Sequence, residues 1–293
     1  MHGKEDRLIR GVALGGKVRV FGALSTGLVE EIRRRHDLLP TAAAAVGRTV
    51  TGAAMMGFML KDGQRLTVQI KGDGPIGQIV ADADSEGHAR AYADNPHVHL
   101  PSNAAGKLDV AGAVGRQGMV YVIKDLGLKE PYRGASPIVS GEIAEDLTYY
   151  FASSEQTPSV VALGVLVDTD LSVRAAGGFI LQVMPGLSDG ELDELEARLG
   201  RLSSVTSLIE QGLGPEDIAG RLVDDLQVLD EIPLRFRCTC SRERVENTLV
   251  SLGREEVESL IREKGGAEVV CHFCNEKYRF DRTELETMVR EHF

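Results

Sequence analysis

All four cysteines of this chain fall in a short window near the C-terminus, as Cys238-Thr-Cys240 and Cys271-His-Phe-Cys274, and residues 1–237 contain none. Two close pairs of soft thiolates suit one tetrahedral Zn²⁺, because each pair supplies two ligands and the intervening chain closes the cage. The C-x-x-C half has the form of a zinc-ribbon knuckle. The C-x-C half is rarer and sets two sulfurs as close in sequence as a tetrahedral site readily allows. Such a site is also a store of thiols that an oxidant can empty.

What surrounds this quartet narrows the options. The chain has 293 residues, enough for one large domain plus a small one. Its net charge of −11 argues against a nucleic-acid partner, since phosphate binding needs a basic surface. The N-terminus, Met-His-Gly-Lys-Glu-Asp-Arg, is charged and has no apolar stretch behind it, so no secretory signal is visible. The longest apolar run, Val46 to Leu60, contains Arg48 and is too short to span a bilayer. A cytoplasmic location without membrane partners is the expectation, and there paired cysteines bind metal or sense redox state more often than they staple a fold.

Charge divides the chain into three. Residues 188–231 hold 12 acidic and 3 basic side chains, whereas the segments on either side are nearly balanced. The expected class is α+β: an N-terminal mixed sheet/helix domain over 1–187, an acidic helical linker over 188–231, and a small zinc-binding domain over 232–293.

In the first segment, Leu66–Ile70 and Gln78–Asp82 around Gly72-Asp-Gly-Pro75 read as a hairpin. Val18–Ala23, Met119–Ile123, Thr148–Ala152 and Val160–Val167 read as strands, and Thr26–Arg35 and Thr41–Leu60 as helices. In the second, Ser188-Asp-Gly-Glu191 has capping-box form ahead of an apolar stripe at Leu192, Leu195, Leu199 and Leu202. Gly214-Pro215 opens a further helix carrying Ile218, Leu222 and Leu226. Five glycines interrupt these helices, and each interior one costs roughly 0.5–1 kcal/mol relative to alanine. They need a neighbour to stay folded. The last segment reads as two helical stripes, then strand, knuckle, strand, then a helix capped at Thr283-Glu-Leu-Glu286. Some sixty residues rarely hold together without a staple, and a metal supplies one.

Other motifs fail on context. Gly11 to Lys17 resembles the start of a P-loop, and Gly72-Asp-Gly74-Pro-Ile-Gly77 matches a dinucleotide-binding pattern, but each leads into a strand where a helix is required. Both are read as hairpin turns, and no nucleotide is expected. Met55, Met56 and Met59 are read as core filling, and Arg33-Arg34-Arg35 as a solvated helix face. Ser153 and Ser154, taken to lie at a strand end, have no partner at a catalytic spacing, and no catalytic residue is assigned.

Three readings of the cysteines stay open: an inert structural zinc site, a dithiol oxidoreductase centre, and a zinc site that doubles as a redox switch. An oxidoreductase wants C-x-x-C at a helix N-terminus, whereas Cys271 and Cys274 lie between strand patterns. The C-x-C pair favours the switch, because two such close sulfurs couple rapidly once one is oxidised, and the small ring is labile. His272, inside the knuckle, is a further possible ligand or a tuning neighbour.

The chain resembles the bacterial redox-regulated heat-shock holdase family, also called the 33-kDa chaperonin, from end to end. The resemblance rests on Arg65-Leu-Thr-Val-Gln-Ile-Lys-Gly-Asp-Gly-Pro-Ile-Gly, Val122-Ile-Lys-Asp-Leu-Gly-Leu, Tyr149-Tyr-Phe-Ala-Ser-Ser-Glu-Gln, Ala176-Gly-Gly-Phe-Ile and Met184-Pro-Gly, with the four cysteines and the following Asn-Glu-Lys-Tyr. It implies a non-enzymatic, ATP-independent chaperone that protects unfolding or oxidatively damaged proteins under stress and is dormant when reduced and zinc-bound. It further implies that Cys238, Cys240, Cys271 and Cys274 ligate one Zn²⁺. Oxidation would pair Cys238 with Cys240 and Cys271 with Cys274, with zinc release, unfolding of the C-terminal unit, loosening of the linker and client binding as a homodimer.

Overall fold

A computed structural model describes residues 5–293. Residues 1–4, part of the charged N-terminus considered above, lie outside the described residues. The chain divides into two compact units, the first ending at Arg237 and the second comprising Cys238–Phe293. The α+β class is as expected.

The first unit opens with β1 (Arg7–Ala13) and β2 (Val18–Leu24), followed by α1 (Thr26–His36) and α2 (Pro40–Gly57). Next come β3 (Arg65–Gly72), β4 (Gln78–Asp84), β5 (His88–Ala93), α3 (Val110–Val114), β6 (Gly118–Asp125) and β7 (Tyr132–Pro137). Then follow α4 (Ala144–Ser153), β8 (Ser159–Val167) and β9 (Val173–Val183). Three short helices, α5 (Asp189–Arg201), α6 (Val205–Glu210) and α7 (Pro215–Gly220), precede β10 (Gln227–Pro233) and β11 (Arg235–Phe236). One sheet runs β10-β1-β2-β9-β8 and a second runs β11-β5-β4-β3-β6-β7.

Helix α2 packs against both sheets. It is buried over its length apart from Pro40 and Arg48, which is possible because it is built mainly from Ala, Gly and small residues. A Cβ at Gly47 would lie 2.6 Å from Val29, and one at Gly52 would lie 2.6 Å from Leu147, so neither position has room for a side chain. Met55 and Met56 are fully buried, and Met59 packs on the same core. Both glycine motifs are hairpin turns: Leu14–Gly16 joins β1 to β2, and Asp73–Gly77 joins β3 to β4.

The acidic segment packs on the five-stranded sheet. Leu195, Val205, Leu208, Ile218, Leu222 and Val223 bury against Val18, Val20, Phe179 and Leu181. The Ser188–Glu191 capping box forms, and Glu191 also accepts from Lys17 Nζ at 2.8 Å, tying α5 to the turn that leads into β2. Of the expected leucine stripe, Leu195 is buried, Leu199 and Leu202 are partly so, and Leu192 faces solvent.

In the first unit the structure departs from the sequence reading at four places. Thr148–Ala152 lies within helix α4, not a strand. Its β-forming Tyr-Tyr-Phe run is overridden by Asp146, a buried carboxylate that accepts backbone N–H groups of Val139, Ser140, Gly141 and Ile143 and so anchors the helix start. Ser153 therefore sits at a helix end, its hydroxyl donating to the Tyr149 carbonyl. The helix opened by Pro215 stops at Gly220, and Gln227–Pro233 is a strand paired antiparallel with β1. Finally, the arginine run is only partly solvated. Arg33 binds Glu30, whose carboxylate also accepts from Val173 N–H, and Arg35 stacks 4.5 Å over the Phe236 ring.

The second unit contains α8 (Arg242–Ser251), α9 (Arg254–Lys264), β12 (Gly266–Val270), β13 (Lys277–Asp281) and α10 (Arg282–His292). β12 and β13 pair antiparallel, with Val269 opposite Tyr278. Six residues form the unit's buried cluster: Val245, Leu249, Val257, Phe280, Leu285 and Met288. Helix α10 is capped by Asp281 and Glu284, two residues earlier than the sequence suggests.

Candidate metal centre

The C-x-x-C knuckle is shaped by its turn. Asn275 N–H donates to the Cys271 carbonyl at 2.8 Å, and Cys271 N–H donates to the Glu276 carbonyl at 2.9 Å. Closing so tight a loop puts Asn275 at φ +60°, a left-handed conformation that asparagine tolerates better than most residues. β12 delivers Cys271, and the chain leaves Cys274 into β13. On the other side, Cys238-Thr-Cys240 is irregular chain running into Ser241, the N-cap of α8, which accepts from Arg244 N–H. Arg244 reaches back to donate to both the Thr239 carbonyl and its hydroxyl at 2.8 Å, so the helix braces the C-x-C loop.

These elements bring all four predicted cysteines together. Their sulfurs lie within 4.8 Å of one another, with Cys238 and Cys271 Sγ 3.7 Å apart and Cys240 and Cys274 Sγ 3.3 Å apart. A tetrahedral ion with metal–sulfur bonds of about 2.3 Å requires sulfurs about 3.8 Å apart, so the cluster fits a single such ion. Cys274 is buried and the other three are half-buried. His272 is exposed and stands outside the four-sulfur group.

Burial pushes the Cys240 and Cys274 thiols up from their usual range, so the protein alone favours them protonated. A bound cation would reverse that, since it binds the thiolate form. The Tyr278 hydroxyl donates to Cys240 Sγ at 3.1 Å, and this hydrogen bond, with burial, raises the Tyr278 pKa above that of an ordinary phenol. The cysteine spacing gave no sign of Tyr278. Its approach follows from the β12–β13 register, along which Tyr278 and Phe280 alternate inward between exposed Lys277, Arg279 and Asp281.

Among the described residues a second donor group, Asp84, Glu86 and His88, lies at the β4–β5 turn. There Asp84 accepts the backbone N–H groups of Glu86 and His88, and Arg237 stands beside His88 and 4.0 Å from Glu86. This is a turn cap with its own cation.

Comparison with known proteins agrees with the architecture. The family model described as Hsp33 protein matches residues 6–281. The chain belongs to the Hsp33 family. A 33 kDa chaperonin of Brevibacillus brevis is 54% identical over 287 residues, covering 98% of this chain and 99% of that protein. One from Staphylococcus epidermidis is 50% identical over 286 residues, covering 97% and 98%. The crystal structure of the 33 kDa chaperonin of Thermotoga maritima superposes with a TM-score of 0.92 at 40% identity, over 98% of each chain. Membership of the Hsp33 family makes this chain a chaperone by kinship, and the sulfur cluster is the place where a metal ion could be held. Among the described residues no helix is long and apolar enough to cross a membrane.

Proposed function

We propose that the protein is a redox-regulated, ATP-independent holdase of the cytoplasm, dormant when Cys238, Cys240, Cys271 and Cys274 hold one Zn²⁺ and active once they are oxidised. The observation that carries this reading is the pairing of a four-sulfur cluster with a very small core: six buried side chains are all that residues 238–293 otherwise possess. Zinc held by four thiolates would supply the cross-link that such a core lacks, a contribution of roughly 10–16 kcal/mol in small metal-dependent domains.

The donors are also the oxidisable groups. Oxidation to the disulfides Cys238–Cys240 and Cys271–Cys274 takes two electrons from each pair of thiolates, and solvent supplies the two protons that the oxidant consumes. With hydrogen peroxide as acceptor, each pair reduces one peroxide to two waters. Disulfide sulfurs are poor ligands, so the metal site is lost and the second unit with it. The acidic helices α5–α7 bury a modest apolar face on the sheet beneath and are short and glycine-rich. They are the part of the first unit most ready to open, and either their apolar face or the sheet surface they cover would meet unfolding clients. Their charge keeps the opened protein soluble, and activated chains associate as homodimers. No catalytic residue is required.

The test is light scattering of a thermally aggregating client mixed with equal amounts of zinc-loaded, reduced protein or peroxide-treated protein, with released zinc followed by a metallochromic dye. Suppression only after oxidation, in step with zinc release, is the expected result. Equal scattering in the two states would reduce the cysteines to a structural site. Limited proteolysis adds a second reading: cleavage within 188–231 should appear after peroxide and mild heat, and an unchanged digest would remove the linker from the mechanism.

A further inference from the structure

The hydroxyl of Tyr278 lies 3.1 Å from Cys240 Sγ, and it can only donate to a metal-bound thiolate. We infer that Tyr278 is a positioning residue that restrains the reactivity of Cys240 toward electrophiles and oxidants in the metal-loaded protein. The inference rests on the proposed reading of the four sulfurs as ligands of one zinc ion.

The physical argument concerns a single lone pair. A thiolate in the metal site is already deprotonated, so a hydrogen bond to it does not increase the amount of nucleophile. It only draws electron density from the sulfur that must attack. On hydrogen peroxide, that attack forms an S–O bond and breaks the O–O bond. The sulfur gives up two electrons and becomes a sulfenic acid, and the other oxygen leaves as water after taking a proton. Whatever the Tyr278 hydroxyl withdraws from the sulfur is lost to the transition state. A hydrogen bond to a charged acceptor, felt in about half its strength by the nucleophile, corresponds to roughly a three- to tenfold slowing.

The geometry makes Tyr278 suited to this role. Strand β13 points Phe280 into the buried cluster and Tyr278 to the border between that cluster and the sulfurs. The ring therefore keeps its packing when the hydroxyl is removed. Cys274 is served differently, by the backbone N–H of Glu276, which no side-chain substitution removes. Cys240 and Cys274 are thus met by different kinds of donor, a side chain at the first and the backbone at the second.

The experiment uses the full-length, zinc-loaded protein and its Tyr278→Phe variant, each treated with iodoacetamide under native, single-hit conditions. The reaction is quenched, and the remaining thiols are labelled with an isotopic form of the same reagent after denaturation. Tandem mass spectra of the tryptic peptide 238–242 and of the peptide carrying Cys271 and Cys274 then give the initial rate at each sulfur. The expected result is a three- to tenfold faster reaction at Cys240, with the Cys271 and Cys274 rates and the metal-loss rate to a chelator unchanged. An unchanged Cys240 rate, or a parallel rise at all four sulfurs, would overturn the inference. Incorporation of 3-fluorotyrosine at position 278, a stronger donor of similar size, should slow Cys240 instead, and it serves as the test should the Phe variant misfold. The alkylation ratio is read whether or not oxidation activates the chaperone, so it stands apart from the light-scattering result.

Discussion

The two units reach stability by different routes. Up to Arg237 the chain surrounds an almost fully buried helix with two sheets and anchors its loops with buried polar groups, so its apolar interior is extensive, with a second cluster under the acidic helices. Residues 238–293 enclose six buried side chains and four sulfurs. Size alone decides much of this, because a small domain has proportionately little interior and the remainder has to come from a cross-link. The lesson is that one chain can carry a domain held by its interior and another with too little interior to stand without a cross-link.

The sharpest way to break this contrast is to remove the metal. Chelation of the zinc-loaded protein, or Cys271→Ser, should abolish amide-exchange protection throughout 238–293 while leaving β1–β9 and α2 protected. Retained protection in the second unit would mean that its small core suffices without the ion. The next largest effect belongs to the first unit. Asp146→Ala strands four backbone donors, those of Gly141 and Ile143 in buried positions, and should cost about 3 kcal/mol in denaturant unfolding of residues 5–237, with no change in metal affinity. A loss under 1 kcal/mol would show that the loop repacks around the alanine.

Acidity separates the units more gently. Burial raises the Asp6 pKa from its usual value to about 6, outweighing the N–H groups of Leu28 and Gly27 that donate to it. The folded form therefore holds this proton to higher pH than the unfolded chain does. Its contribution is fully present below about pH 4 and is lost as pH rises through about 6, an effect on the order of 3 kcal/mol. Asp6→Asn should flatten that slope in thermal melts of the first unit. With the proposed ion bound, the second unit should slope the other way, since protons compete with the ion for thiolates. Parallel slopes in the two units would contradict the assignment. The smallest effect is local: Ser188→Ala removes the cap of α5 and should cost about 1 kcal/mol, read as faster amide exchange in α5 alone.

Much of the fold was legible because it is written in local patterns. The hairpin around Gly72–Gly77, helices α1 and α2, the capping box at Ser188 and the strand–knuckle–strand of the second unit all announce themselves in spacing and turn chemistry. Helix α4 did not, because Tyr149-Tyr150-Phe151 favours a strand until the distant contacts of Asp146 are known. Strand β10 did not, because Leu226 continues a helical stripe whose end is set by tertiary pairing with β1. At the candidate centre the four sulfurs could be read from their intervals, whereas Tyr278 could not. Its hydroxyl reaches Cys240 only through the pairing of two strands and a loop 38 residues away.

Strands β10 and β11 occupy the outermost positions of two different sheets, and they are the last elements before Cys238. In the language of assembly, they are the final course laid on each wall, with nothing built on top. Taking them away would leave β1-β2-β9-β8 and β5-β4-β3-β6-β7 as unbroken sheets. It would also uncover a row of backbone donors and acceptors along β1 and a short one at His88 and Ala89 of β5. The stretch of chain that leads to the sulfurs thus borders both sheets, with Leu234 as its anchor in the core.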